Sequence, residues 1–258
     1  MKIVALVPFR NESIYLKLFM QSLEQLVDEI VGFDDGSTDE SRDIFVEQGG
    51  ILIPRLESEL RQSGTGASVR IRNSLLDHGR RIGGTHFLII DADEILVGDI
   101  RLRFRDLAAQ LLPKQALKLY LLNCWTNFST YINHPEESGP RKMSFLFRDH
   151  TDIAYSVTRR FVHFNRVPTS KSDVPKSLEI PLTSSAVLHL RTLNRELDQI
   201  KQAWYRVQEV KTLGRSSNLV NATYRYTLLL PTDLSSLPFS LPDFLNSDSL
   251  QLIKAYPV

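Results

Sequence analysis

Two acidic clusters combine residue types and spacing that could do chemistry. One is Asp34-Asp35-Gly36-Ser37-Thr38-Asp39 and the other is Asp91-Ala92-Asp93-Glu94. Each follows a short apolar run, residues 29–33 in the first case and 86–90 in the second. Carboxylates at the end of such a run read as acids that a buried strand delivers to the carboxyl edge of a sheet, where open α/β sheets bind ligands. Two deliveries suit one site that handles a nucleotide and a hard cation, because Mg²⁺ and Mn²⁺ favour oxygen donors. Asp91 and Asp93 are two residues apart and would share a face on a regular strand.

The elements that must position these acids follow from periodicity. Residues 2–7 are a β-branched apolar run ended by Pro8, a first strand. Residues 13–27 carry Ile14, Leu16, Leu18, Phe19, Leu23 and Leu26 at helical spacing, with Asn11 or Ser13 able to cap the start. Strands are predicted at 29–33, 51–53 and 85–90, and helices at 39–48, ended by Gly49-Gly50, and at 68–79. Asp39 reads as a helix N-cap. This alternation is the doubly wound pattern of parallel strands joined by crossover helices. It persists to about residue 112. Beyond Pro113 a more mixed sheet is expected, with strands at 117–125, 144–148 and 186–190 and a long amphipathic helix at 196–213. The expected organisation is therefore two halves of one domain, 1–112 and 113–230, followed by a C-terminal tail, 231–258, packed on the body.

Composition narrows the classes. The 258 residues carry 31 basic and 30 acidic side chains, a net charge of +1, with no basic stripe to mark a nucleic-acid partner. The single cysteine, Cys124, lies in an apolar stretch. It excludes a disulfide framework within the chain and reads as a buried thiol. No signal peptide and no transmembrane segment is expected, since no run reaches about 20 apolar residues. A cytoplasmic location fits, with peripheral contact at a membrane left open. Gly64-Thr65-Gly66 lacks the Lys-Ser/Thr of a nucleoside triphosphatase phosphate loop and reads as a turn.

Three strings in order resemble one family. Residues 4–12 (VALVPFRNE), 34–39 (DDGSTD) and 91–94 (DADE) are similar to the opening strand and loop, the acidic turn and the metal-binding DxD motif of family 2 glycosyltransferases. Arg72-Asn73 resembles an intervening pattern, and residues 145–148, 187–190, Lys201 and Tyr205 are weaker echoes in the second half. The resemblance is strong over residues 1–98 and absent from the last fifty or so.

It implies a GT-A fold, a Rossmann-like, mainly parallel sheet flanked by helices with a mixed acceptor-side half. The implied activity is metal-dependent transfer of a sugar, with inversion, from a UDP- or GDP-type donor to a glycan, lipid or small-molecule acceptor. Mn²⁺ or Mg²⁺ would be held by Asp91, Asp93 and, in the family's manner, a later histidine, for which His189 fits and His163 competes. Pro8, Phe9, Arg10, Glu12, Asp34, Asp35, Arg72, Asp91 and Lys201 would bind the nucleotide-sugar; for Arg72 and Lys201 a solvated helix position is the alternative. Asp93 is a candidate for catalysis. The general base that inversion requires is not identified, and Glu136, Glu137, Asp149 and Asp152 lie in plausible acceptor-half loops. Trp125 and Tyr131 could stack on a sugar ring or belong to the core. Two other readings stay open: a sugar nucleotidyltransferase, disfavoured because no Gly-rich basic signature follows the first strand, and a non-catalytic module that kept the fold.

Overall fold

The computed structural model describes residues 1–54, 65–134, 139–156, 166–170, 172–223 and 229–256. The chain begins with β1 (Ile3–Phe9), α1 (Ser13–Leu23), β2 (Glu29–Asp34), α2 (Ser41–Glu47), β3 (Ile51–Leu52), α3 (Thr65–Arg81) and β4 (His86–Ile89). The four strands pair in parallel in the order β4-β1-β2-β3. Burial on both faces explains why they read as continuous apolar runs. Along β1, Ile3, Ala5 and Val7 pack into one apolar layer, while Val4 and Leu6 enter the other. Helix α2 ends where expected, with Gly49 in the left-handed region at φ 85°.

The sheet turns mixed at β5 (Glu94–Gly98), before the change expected beyond Pro113. The next elements are α4 (Ile100–Gln110), β6 (Ala116–Trp125), β7 (Asn127–Ile132) and β8 (Arg141–Arg148). Then come β9 (Ile153–Ala154), β10 (Thr169–Ser170), β11 (Leu178–Glu179) and β12 (Ser185–His189). Strand β8 runs antiparallel between β4 and β6 and joins the two halves into one sheet. Strand β12 is parallel to β6 on one side and antiparallel to β5 on the other. Sequence periodicity did not separate β5 from the preceding acids, and the short α4 that follows it was also missed.

The chain then forms α5 (Arg195–Leu213), α6 (Ser217–Thr223), β13 (Leu234–Ser236) and α7 (Ser247–Lys254). Asn194 caps α5 by accepting from the Leu197 N–H at 3.1 Å, and Asn246 caps α7 by accepting from Asp248 and Ser249. The C-terminal segment carries regular structure that its Ser- and Pro-rich composition concealed. Strand β13 pairs with β7, Ile253 is buried, and the Tyr256 hydroxyl lies 2.6 Å from that of Ser13 on α1. Cys124 is fully buried, and burial pushes its thiol well above its ordinary range.

The β5–β12 ladder sets Glu94 opposite His189 and Gly98 opposite Ser185. Gly98 sits at φ 81°, and a Cβ there would meet the Ser184 carbonyl oxygen at 2.2 Å. Gly98→Ala is therefore expected to lose about 2 kcal/mol or more of stability. A urea unfolding curve with an unchanged midpoint would show that the ladder does not need this glycine.

Candidate functional site

Three loops meet at the carboxyl edge of the parallel strands. The first follows β1. Asn11 adopts φ 53°, its N–H donates to the Ser37 hydroxyl at 3.0 Å, and its side-chain oxygen accepts from the Thr38 N–H at 2.8 Å. Asp34 accepts from the Ser37 N–H at 2.8 Å, and the Asp35 N–H donates to the Phe9 carbonyl at 2.8 Å. Asp39 stands one residue before Glu40, the N-cap of α2, and ties the starts of two helices together by accepting from the Ser13 N–H of α1 and the Ser41 N–H of α2. Burial pushes its carboxyl up, but the hydrogen bonds from Ser41 and Ser13 outweigh that and hold it below the ordinary value. The loops after β1 and β2 thus form one hydrogen-bonded unit.

The third loop carries Asp91, Ala92 and Asp93 between β4 and β5. Glu94 is fully buried beneath it. One Glu94 oxygen accepts from the Asp91 N–H at 3.0 Å and from Arg166 at 2.6 Å, and the other accepts a second Arg166 bond. Burial raises the Glu94 carboxyl, against the pull of Arg166. Arg166 lies over the Phe145 ring at 4.8 Å and reaches Asp91 at 3.3 Å, while Arg72 approaches Asp91 at 3.9 Å. Asp91 keeps 37% of its side chain exposed, so it can still meet a ligand.

Asp93 faces the other way. Its Oδ2 lies 3.2 Å from His189 Nε2, and Asn123 Oδ1 lies 2.8 Å from His189 Nδ1. Burial opposes ionisation of Asp93, yet His189 beside it outweighs burial and holds the carboxyl well below the usual range. With Nδ1–H donating to Asn123, the Nε2 lone pair and a carboxylate oxygen face each other, and two acceptors at that distance need a proton or a cation between them. The separation also suits neighbouring ligands of an octahedral ion with bonds of about 2.1 Å. Among the described residues no three His, Cys, Asp or Glu side chains form a complete cage. A donor set of this kind fits a Mg²⁺-like ion that takes one or two protein ligands and completes its shell with phosphate and water.

Helix α5 closes the edge from above. Lys201 donates to both oxygens of Glu12, at 2.6 and 2.7 Å, and lies 5.6 Å from the centre of the Tyr15 ring. Burial raises the Glu12 carboxyl to about 8 against the pull of Lys201, with Asp93 and Asp91 adding to the rise. Tyr205, one turn along α5, is pushed up to about 12, chiefly by burial. Arg10 stacks on Trp204 at 5.2 Å.

The structure thus gathers Arg10, Glu12, Asp34, Asp35, Arg72, Asp91, Asp93, His189 and Lys201 around one edge. It brings Asp93 and His189 into contact, whereas Asp91 turns to the two arginines. Pro8 ends β1 at this edge. The Phe9 side chain is buried against Phe45 with ring centres 4.9 Å apart, which leaves its backbone carbonyl to the loop. Tyr131 is a core residue, and Trp125 carries Arg195 over its ring at 5.1 Å.

Asp152 does not join the site, a correction to its candidacy as a base. Strand β8 runs antiparallel to β4, so the chain after it emerges at the amino edge, where the Asp149 N–H donates to Thr85. There Asp149 is paired with Arg80 at 2.7 Å, and Asp152 is held by Lys114 at 2.7 Å and by the Ser172 and Ser170 hydroxyls. Glu136, Glu137 and His163 lie outside the described residues. Three contributors were missed from sequence. Arg166 has no motif around it. Glu94 belongs to the acidic string, but the sequence did not show that it begins a strand and is buried. Asn123 was visible as a polar interruption of an apolar strand.

No family model matches the sequence, and neither does any curated protein. Among solved structures the chain is similar to glucosyl-3-phosphoglycerate synthase from Mycobacterium tuberculosis in complex with phosphoglyceric acid, at 22% identity over 48% of this chain and 44% of that one, with a TM-score of 0.32. The same synthase with Mn²⁺, uridine diphosphate and glucosyl-3-phosphoglycerate matches at 23% identity over 48% and 44%, with a TM-score of 0.31. S. aureus TarS matches at 15% identity over 86% of this chain and 42% of that one, with a TM-score of 0.40. In each case the match spans less than half of the known chain. Superpositions this loose assign no activity. Among the described residues no helix is long and apolar enough to cross a membrane.

The Glu12–Lys201 pair generates a direct test. Removing one partner of a buried pair leaves the other charge without compensation, so Lys201→Met is expected to cost on the order of 3 kcal/mol. The double variant Glu12→Gln/Lys201→Met should recover much of that loss in urea unfolding. Wild-type stability in Lys201→Met alone would mean that the pair does not hold α5 to the loop.

Proposed function

We propose that this chain is a glycosyltransferase of the GT-A type, similar to family 2, that transfers a sugar from a nucleoside-diphosphate donor with the help of Mn²⁺ or Mg²⁺. The observation that carries this reading is the meeting of the acidic loops after β1, β2 and β4 with His189 and Lys201 at one sheet edge. The ordered motifs of the sequence support it. In this reading Asp34 and Asp35 take the base or ribose at the end of β2, with Pro8 and the main chain at Phe9 lining that side. Asp93 and His189 hold the cation, with Asp91 binding through water or to the donor sugar. When bound, the cation would offset the charge that develops on the leaving diphosphate.

The chain's own groups supply orientation and electrostatics. Arg72 and Arg166 fix the Asp91 carboxylate on one side. Lys201, paired to Glu12, sets a positive charge near Asp93, which contributes to holding Asp93 ionised. Helix α5 covers the donor loop and would limit water beside a reactive anomeric centre. A glycan, lipid or small-molecule acceptor would approach from the mixed half. With Asp152 at the opposite edge, Glu136 and Glu137 stay as candidates for the base.

Calorimetric titration of UDP and GDP, with Mn²⁺ and then with excess chelator, tests the reading. One nucleotide should bind in a metal-dependent manner, and Asp93→Asn or His189→Ala should weaken that binding by about ten-fold or more. A folded protein that binds neither nucleotide, or an Asp93→Asn variant with a normal metal titration, would overturn the donor site.

A further inference from the structure

On the far side of the acidic turn from the nucleotide loop, Arg166 and Arg191 have carboxylate partners, whereas Arg141 has none among the described residues. Strand β8 lies across β4 from β1, with Leu146 beside Leu88. Its first residues therefore project past the carboxyl end of β4, at the same edge as Asp91. Arg141 opens β8 opposite Leu121 of β6, and Leu121 in turn lies opposite Val187 of β12. Cross-strand partners share a face and side chains alternate along a strand, so Arg141, Asn123 and His189 lie on one face of the sheet. Arg141 thus belongs to the face that carries Asp93 and His189.

The charges around Arg141 are unbalanced. Its charged neighbours among the described residues are Arg191, Arg166 and Glu94, and Glu94 is already taken up by Arg166. Arg141 is an exposed residue whose guanidinium has no ion-pair partner among the described residues, and the partial burial of that group, followed by repulsion from Arg191 and Arg166, pulls it below its ordinary value. Arg191 follows His189 by two residues and meets Asp198 at only 3.6 Å, and its buried Nε has no hydrogen-bond partner among the described residues. Guanidinium groups gathered at one edge give it a positive potential that draws an anion. A guanidinium fork also matches the oxygens of phosphate and carboxylate.

We propose that Arg141, with Arg191 beside it, forms an anion-binding subsite for the acceptor, so that the molecule receiving the sugar carries a phosphate or carboxylate group. The acceptor assignment rests on the glycosyltransferase reading. Topology favours the acceptor over the donor, because the nucleotide loops after β1 and β2 lie on the other side of β4.

The test is a titration of inorganic phosphate, and in parallel of acetate, into the full chain saturated with UDP and Mg²⁺. Saturable binding of at least one anion is expected with the donor site filled. It should weaken by about ten-fold or more in Arg141→Ala, while Lys142→Ala, on the opposite face, binds as wild type does. Arg141→Gln, checked by thermal melting, guards against a folding defect. Phosphate that competes with UDP, weaker UDP binding in Arg141→Ala, or anion binding unchanged in that variant would each overturn the acceptor subsite. A wild-type protein that binds neither UDP nor GDP would overturn the transferase reading and the acceptor assignment with it. Arg141-dependent phosphate binding without nucleotide would then mark an anion site of another activity.

Discussion

Glu94 has no exposed surface, and both of its carboxylate oxygens are engaged, one by the Asp91 main chain and both by Arg166. A charge in that position costs several kcal/mol unless its partners have good geometry, so the loop cannot drift without breaking the pair. The consequence is a rigid turn. Asp91 is held toward Arg72 and Arg166, and Asp93 toward His189. The pairing of Glu94 with His189 across the β5–β12 ladder adds the second constraint, because it brings a residue from late in the chain beside one from its middle. Two carboxylates in one short turn thereby acquire opposite surroundings, one half exposed among arginines and one buried beside a histidine.

The rest of the architecture gives this turn two sides. Toward β1 and β2, the Asn11–Ser37–Thr38 hydrogen bonds and the two main-chain hydrogen bonds accepted by Asp39 weld the nucleotide-side loops together. Toward β8, β6 and β12, the sheet becomes mixed, and Arg141 and Lys142 open β8. Helix α5 bridges the two sides, since it starts just after His189 and reaches back to Glu12 through Lys201. The C-terminal segment secures that bridge. The Asn194 side chain, which caps α5, also donates to the Ile253 carbonyl at 3.1 Å.

Legibility from sequence followed the range of the interactions. The parallel strands and their acidic ends were readable because burial on both faces imposes unbroken apolar runs, and the acids interrupt them abruptly. The place of Asp39 at the start of α2 was readable because its bond to Ser41 is local, whereas its bond to Ser13, 26 positions away, was not. Arg166 was not, since its partners Glu94 and Asp91 are more than seventy positions away and nothing in its own surroundings reports them. Asp152 was misread because sequence does not reveal that β8 runs antiparallel to β4, and that direction alone decides which edge its loop occupies. The tail looked like loop because α7 and β13 are short and their apolar faces make sense only against α1 and β7.

The central claim is that Asp93 and His189 present a cation to a nucleoside diphosphate at this edge. Pulsed electron paramagnetic resonance of Mn²⁺ bound to the protein with UDP reads both relations at once. The account predicts hyperfine coupling to ³¹P of the diphosphate together with coupling to one directly bonded imidazole ¹⁴N. Bound Mn²⁺ that shows ³¹P coupling and no ¹⁴N coupling would contradict the role of His189. Bound Mn²⁺ with no ³¹P coupling would contradict the site itself.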